Sequence, residues 1–246
     1  MKLLEGRVAL VTGGSRGLGR AIAKVFAREG AFTAFCYSRS ETDAQHTLQE
    51  IQSVGEGRAF RVSVLDKEGL KGICKEVEAQ VGQPIDTLVN NAGIGQVVPL
   101  ALMEEEDWDR MMDTHVKGAF LATQAVLRGM VRIKKGHVLN IGSLAGVKML
   151  QAPVHYATAK AALKGFTESL AKEVARYGIR VNCLAPGLLE EGVSDNLPAY
   201  RREEFLKHCA LGRLGQPSEV AELAAFMVSD RNSYMSGATV VVDGAV

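Results

Sequence analysis

The chain has 246 residues, is 47% hydrophobic and carries a formal net charge of +1, enough to bury one sizeable core and with nothing that demands a second domain. A balance so near neutrality excludes wholesale attraction to nucleic acid or membrane, so any charged partner must be met by a local patch. Four widely spaced cysteines, Cys36, Cys74, Cys183 and Cys209, form no CxxC pair and no Cys/His cluster, which argues against a metal site or disulfide framework and for reduced thiols in a cytosol.

The first residues, Met1 to Arg7, reach an apolar run at once and leave no room for a secretory leader. No stretch approaches the roughly 20 apolar residues of a membrane span, so the expectation is a cytoplasmic protein. Short apolar runs then alternate with longer segments of helical period. The strands expected are Val8–Val11, Thr33–Tyr37, Ala59–Val62, Thr87–Val89, Val138–Ile141, Val181–Leu184 and Thr239–Val242, each apolar on both faces. The helices expected between them are Gly17–Glu29, Glu41–Ser53, Lys67–Val81, Glu105–Arg132, Val154–Tyr177 and Pro217–Ser229. Gly30, Gly82, Gly136 and Gly178 stand where helices should stop, as caps that tolerate positive φ. This alternation predicts a single α/β domain over residues 1–246, a doubly wound parallel seven-stranded sheet with helices on both faces. One segment, Gly187–Arg213, breaks the pattern. It reads either as a substrate lid at the carboxyl ends of the strands or as a surface excursion, and the lid is the expectation.

After the first strand comes Thr12-Gly13-Gly14-Ser15-Arg16-Gly17-Leu18-Gly19, leading straight into a helix. Glycines there permit a tight turn and close approach to a pyrophosphate, while the helix N-terminus offers unpaired N–H groups. Gly13, Ser15, Arg16, Gly17, Leu18 and Gly19 are therefore candidate cofactor ligands. An acid at the end of the second strand is the usual mark of NAD, binding the ribose 2′-hydroxyl. This chain has Cys36-Tyr37-Ser38-Arg39 instead. Arg39 and Arg16 are thus expected to pair with the 2′-phosphate of NADPH, whose oxygens suit a guanidinium, with Ser38 beside them as a further candidate cofactor ligand; the alternative is that both arginines are solvated surface residues.

Tyr156 and Lys160 are four residues apart on an expected helix, one turn from each other on one face. Two unit charges at ~4 Å and an effective dielectric of ~20 interact by roughly 4 kcal/mol, against about 1.4 kcal/mol per pKa unit, so a phenol lowered by a neighbouring ammonium is expected. Ser143, thirteen residues before Tyr156 at the end of the fifth strand, points a hydroxyl into the same crevice and can polarise a carbonyl there.

With Thr12–Gly19, Asn90-Asn91-Ala92-Gly93, Ser143, Tyr156-Ala157-Thr158-Ala159-Lys160, Arg180-Val181-Asn182, Pro186-Gly187 and Val242-Asp243-Gly244, the chain resembles the short-chain dehydrogenase/reductase family along essentially its whole length. The runs Gly136–Ser143 and Phe166–Pro186 are most similar to β-ketoacyl-acyl-carrier-protein reductases. The resemblance implies a Rossmann fold and a hydride moved between a nicotinamide and a carbonyl carbon. Tyr156 would protonate the oxygen, Ser143 would orient it, and Lys160 would hold the nicotinamide ribose while lowering the tyrosine pKa. Asn91, Ala92 and Gly93 would border the adenosine and ribose; Pro186, Gly187 and Leu189 would border the nicotinamide. It also implies a homotetramer built through two long helices and the C-terminal strand, which the apolar end Thr239–Val246 would suit.

Three positions depart from the family pattern. His115 stands where relatives usually carry an Asn that supports a water chain from the lysine. An imidazole accepts one hydrogen bond and donates another, so His115 is counted with the catalytic residues, its pH–rate limb expected to shift on replacement by Asn; the alternative is a packed helix histidine. Glu190-Glu191 replaces a Thr that contacts the cofactor, so Glu191 is expected to turn outward from the phosphates. Ser63 replaces an acid or amide that contacts adenine. Arg132, Lys134, Lys135 and Arg176 form a candidate docking patch for an acidic carrier protein, or are ordinary cations at helix ends. The leading expectation is NADPH-dependent reduction of a 3-oxoacyl thioester on acyl carrier protein. A free, steroid-like or polyketide ketone is the second, and a silent cofactor-binding partner in a hetero-oligomer the third. No metal is expected.

Overall fold

A computed structural model of the protein describes residues 2–148, 151–192 and 197–246. Its centre is a sheet of seven parallel strands, β1 (Val8–Thr12), β2 (Phe32–Tyr37), β3 (Glu56–Arg61), β4 (Thr87–Asn90), β5 (Gly136–Ile141), β6 (Ile179–Pro186) and β7 (Thr239–Val242), in the order β3-β2-β1-β4-β5-β6-β7. Helices α1 (Gly17–Arg28), α2 (Glu41–Gln52), α3 (Lys67–Val81), α4 (Glu105–Met112), α5 (Gly118–Ile133), α6 (Val154–Val174), α7 (Ala199–His208) and α8 (Pro217–Val228) connect them. The period-2 alternation of β1 divides the core. Ala9 and Val11 pack with α1 and α8, whereas Val8 and Leu10 pack with α3, α5 and α6. Strand order reverses between β1 and β4, and that switch point opens the ligand crevice at the carboxyl ends of the strands.

The expected fold and all seven expected strands are present, with instructive differences. Strand β3 starts at Glu56, three residues before the apolar run, and only Phe60 on it is buried. As an edge strand it pairs with β2 alone, so its outer side chains face water and its backbone, not its hydrophobicity, defines it. Gly136 is not a helix cap; Lys134 takes the left-handed C-cap position of α5 (φ 52). Gly136 instead begins β5, where a Cβ would stand 2.7 Å from the Met130 sulfur. The long helix expected over Glu105–Arg132 is interrupted by a π-helical turn, Asp113–Lys117. The segment 187–213 contains α7, a helix that is not among the expected elements; positions 193–196 lie outside the described residues.

Candidate active site

At the switch point the end of β1 is tied to the end of β4. The Thr12 hydroxyl accepts the N–H groups of Asn91 and Ala92, both at 3.0 Å, and Asn91 Nδ2 donates to the carbonyls of Thr12 and Gly13. These bonds draw the glycine turn against the strand so tightly that a Cβ on Gly13 (φ +67) would meet Ala92 Cα at 2.8 Å, and one on Gly19 would meet the Gly13 carbonyl at 2.2 Å. Helix α1 begins there with no side-chain cap at Arg16, leaving its first N–H groups to an anion. A bare, positive helix end inside a cradle that only glycine can line fits the pyrophosphate of a dinucleotide. Arg16, Ser38 and Arg39 are exposed around this turn and the end of β2.

Ser143 follows β5, and Tyr156 and Lys160 project from the first turns of α6. The structure brings them together. The Ser143 side chain lies beside the Tyr156 phenol and favours its ionised form, and Lys160 Nζ lies 5.8 Å from the Tyr156 ring centre. Lys160 is buried and donates to the Ile141 carbonyl at 2.8 Å; desolvation holds its ammonium down at about 8. The electrostatic expectation for the phenol needs correction. Burial raises the Tyr156 pKa, and the neighbouring Ser143 hydroxyl offsets only part of that rise. The ammonium is directed at a backbone carbonyl rather than at the phenol oxygen, so in the protein alone Tyr156 stays protonated at neutral pH.

His115 sits on the π turn with its ring edge-on to Tyr156, centroids 5.6 Å apart. Its Nε2 is 3.1 Å from the Ile94 nitrogen and 2.9 Å from the Ile94 oxygen, and Nδ1 is buried with no partner among the described residues. Desolvation, then the charge of Lys160, pushes it down to about 3. It is therefore a neutral imidazole in the crevice wall, and a limb from its own titration falls far below neutrality. Gly93 is required by this ring, since a Cβ there would lie 2.4 Å from His115 Cε1.

Two features escaped the sequence reading. His155 is fully buried, and its Nδ1 accepts the Tyr156 N–H at 2.9 Å, supplying the cap that Pro153 lacks at the head of α6. Behind the crevice, Asn90 donates to Thr123 and Asn140, and Asn140 donates to Thr167, in a buried network that joins β4 and β5 to α5 and α6. Asn90 stood out in the sequence only as part of the run Asn90–Gly93, and His155, Thr123, Asn140 and Thr167 carried no signal beyond a polar residue among apolar ones.

The start of the 187–213 segment closes over the same end of the sheet. Pro186 ends β6, and Leu189 and Gly215 form a bridge through Glu190 N to Gly215 O (2.9 Å) and Gly215 N to Leu188 O (3.0 Å). Gly187 touches α7, whose Phe205 would meet an added Cβ at 3.2 Å. Glu190 and Glu191 are exposed, and the chain here runs against the glycine turn, Gly192 Cα coming within 3.1 Å and the Glu191 carbonyl carbon within 3.9 Å of the place a Gly17 Cβ would take. Ser63 uses its hydroxyl locally, accepting the Leu65 N–H. Arg132, Lys134, Lys135 and Arg176 gather at the far ends of α5 and α6. At 1.5 Å per residue, Arg176 is about 30 Å from Tyr156 of the same chain. Arg132 pairs with Glu78, and Arg176 stacks on Tyr177 with its guanidinium 4.8 Å from the ring centre.

A dinucleotide cradle at the switch point, with a Ser, a Tyr and a Lys converging beside it, defines a nicotinamide-dependent oxidoreductase. The family profile described as "Enoyl-(Acyl carrier protein) reductase" matches residues 13–246. The 3-oxoacyl-[acyl-carrier-protein] reductase FabG of Vibrio cholerae is 39% identical over 243 residues, 99% of this chain and 98% of that protein. A mutant short-chain dehydrogenase/reductase of Serratia marcescens superposes with TM-score 0.91 at 30% identity, covering 99% of this chain and 98% of the other. A 7α-hydroxysteroid dehydrogenase complexed with NADH and 7-oxo glycochenodeoxycholic acid also gives 0.91 at 30% identity, covering 98% of this chain and 94% of the other. The chain belongs to the short-chain dehydrogenase/reductase family and is an oxidoreductase. Among the described residues no helix is long and apolar enough to cross a membrane.

Proposed function

We propose that the protein is a cytoplasmic NADPH-dependent reductase of 3-oxoacyl thioesters, with acyl carrier protein as the carrier. The observation that carries this reading is the protonated Tyr156 phenol, with Ser143 beside it and its pKa raised by burial at the mouth of the cofactor cradle. A phenol that keeps its proton at neutral pH is suited to give it to a carbonyl oxygen, which is the demand of reduction. A bound nicotinamide supplies the hydride. Ser143 donates a hydrogen bond to the substrate oxygen and so places it against the Tyr156 hydroxyl. Lys160, fixed on the Ile141 carbonyl, sets a positive charge behind the phenol as it loses its proton. His115 backs the Tyr156 ring and holds Ile94 through its backbone.

Gly13, Ser15, Gly17, Leu18 and Gly19 hold the pyrophosphate. Arg16, Ser38 and Arg39 take the 2′-phosphate, since no acid follows β2 to claim a ribose hydroxyl. Asn91, Ala92 and Gly93 line the adenosine side, Pro186, Gly187 and Leu189 the nicotinamide side, and 187–213 serves as the substrate lid. Burial leaves β7 half-covered, in keeping with a homotetramer that uses it as an interface. A carrier docked on Arg132, Lys134, Lys135 and Arg176 would stand about 30 Å from the Tyr156 of its own subunit, so its acyl chain enters a neighbour's crevice.

The test is loss of NADPH absorbance with a short 3-oxoacyl thioester, beside NADH and beside an Arg39→Asp variant. Turnover that prefers NADPH, with the preference lost in the variant, is the expected result; equal use of both cofactors by the wild type contradicts the 2′-phosphate assignment. The likeness to a 7α-hydroxysteroid dehydrogenase favours a second reading, a cyclic free ketone as substrate. Turnover of such a ketone with none of the thioester would select it.

A further inference from the structure

The opposite, N-terminal end of the sheet carries a second polar cluster. His137 on β5 and Arg180 on β6 are direct register partners, so their side chains leave the sheet on one face. Arg7 arrives from the residue before β1 and Asp86 from the residue before β4. A cleft of about 360 Å³ borders His137 and Arg180 and is lined also by Lys135, Asp230, Ser233 and Tyr234, with Arg7 and Asp86 behind it.

The hydrogen-bond inventory of this cleft is one-sided. Arg7 Nη2 is 2.7 Å from His137 Nε2. A guanidinium only donates, so Nε2 accepts and the ring proton of the neutral imidazole sits on Nδ1. That N–H is buried and has no partner among the described residues. Arg180 donates through Nη2 to the Ser229 carbonyl at 2.8 Å, while its buried Nη1 likewise has no partner among the described residues. Lys135 adds an ammonium whose ion pair with Asp230 is long, 3.7 Å. Burial, then the fields of Arg7, Arg180 and Lys135, pushes His137 down to about 2, so the imidazole is neutral and its donor stays on Nδ1. Two carboxylates face these cations: Asp86 is buried 3.5 Å from Arg7, and Asp230, largely exposed, pairs with Arg7. Buried donors left without acceptors are rare and costly, and here two such donors belong to neighbouring side chains that line one cleft.

We propose that this cleft is a binding site for a small oxyanion of the phosphate class, free or as the end of a phosphate ester, whose oxygens accept from His137 Nδ1 and Arg180 Nη1 beside the Lys135 ammonium. The several acceptor oxygens of such an ion answer both orphan donors at once, whereas a metal cation answers neither. Asp230 stays with Arg7. The site is independent of the hydride chemistry, because it lies at the other end of β5 from Ser143.

The test is NMR of protein labelled with 15N-histidine, titrated with inorganic phosphate and separately with a simple alkyl phosphate, against chloride at matched ionic strength. The expected result is a saturable shift of the His137 Nδ1 signal with phosphate, absent with chloride, and about tenfold weaker affinity in Arg180→Met, as loss of one charge-assisted hydrogen bond implies. Arg180→Lys, which keeps the charge and loses the fork, should fall between. A shift with the free ion alone assigns the site to inorganic phosphate, and one with both assigns it to either source. Should the His137 signal stay still while calorimetry detects phosphate, the ion is bound elsewhere, at the glycine turn, and the proposal is overturned. An affinity unchanged in both Arg180 variants overturns it as well.

Discussion

The two ends of the central sheet hold buried charge in different ways. At the carboxyl end, Lys160 is buried with a backbone carbonyl as its partner and the Tyr156 phenol has only the Ser143 hydroxyl beside it. At the amino end, Arg7 is buried against two carboxylates, Asp86 and Asp230, with the neutral His137 ring beside it. Groups held by neutral partners keep their proton chemistry available, and groups held by opposite charge are fixed in place. Function is therefore expected to be sensitive at the first end and stability at the second.

Tyr156→Phe is the sharpest probe of that division. Removing a positioned general acid should slow reduction by about 10²–10⁴-fold with cofactor affinity and the melting temperature little changed; stopped-flow absorbance with a parallel melt reads both. The opposite pattern is expected of Arg7→Met. It leaves Asp86 buried without its cation, a loss of about 3–5 kcal/mol, visible in urea unfolding, while the folded fraction keeps its kcat. A large kcat loss in Arg7→Met with normal stability would break the comparison.

Gly93→Ala should lower stability by about 1–3 kcal/mol through overlap with the His115 ring. The cost should shrink in the His115→Ala background, which a double-mutant cycle measures.

The difference in legibility between the two ends has the same origin. Tyr156 and Lys160 lie one turn apart on a single helix, and the glycine turn is continuous in sequence, so local spacing already places them in one crevice. Arg7, Asp86, His137, Arg180 and Asp230 come from five separate segments, and only the strand register assembles them. The same limit hid α7, which has no buried residue to give it an apolar stripe, and the polar start of β3, an edge strand held by backbone pairing. It also misled the electrostatics. Helical spacing said that Lys160 and Tyr156 are neighbours, but not that the ammonium points to Ile141 or that burial outweighs its charge at the phenol.

Smaller effects concern pH. Lys160 is depressed to about 8 by burial, so the free protein loses this cation as pH rises through about 8. Under the proposed mechanism kcat/KM for reduction should fall above that point. Stability should move the other way: the unfolded lysine binds its proton more tightly, so unfolding becomes harder as pH rises from about 8 toward the ordinary lysine value of about 10.4. His115, down at about 3, should contribute no limb near neutrality. His115→Asn is expected to keep the shape of the pH–rate profile between about pH 6 and 9, and a neutral-range limb that disappears in this variant would show that the imidazole titrates during turnover.

The most direct measurement of the central claim is transfer of deuterium from NADPH labelled at C4 of the nicotinamide to a 3-oxoacyl thioester, in the wild type and in Tyr156→Phe. The account predicts deuterium at C3 of a 3-hydroxyacyl product from the wild type and almost none from the variant, with both proteins binding NADPH. Equal transfer by the variant would contradict the role given to Tyr156, and bound NADPH with no label transferred by the wild type would contradict the assignment of a 3-oxoacyl substrate.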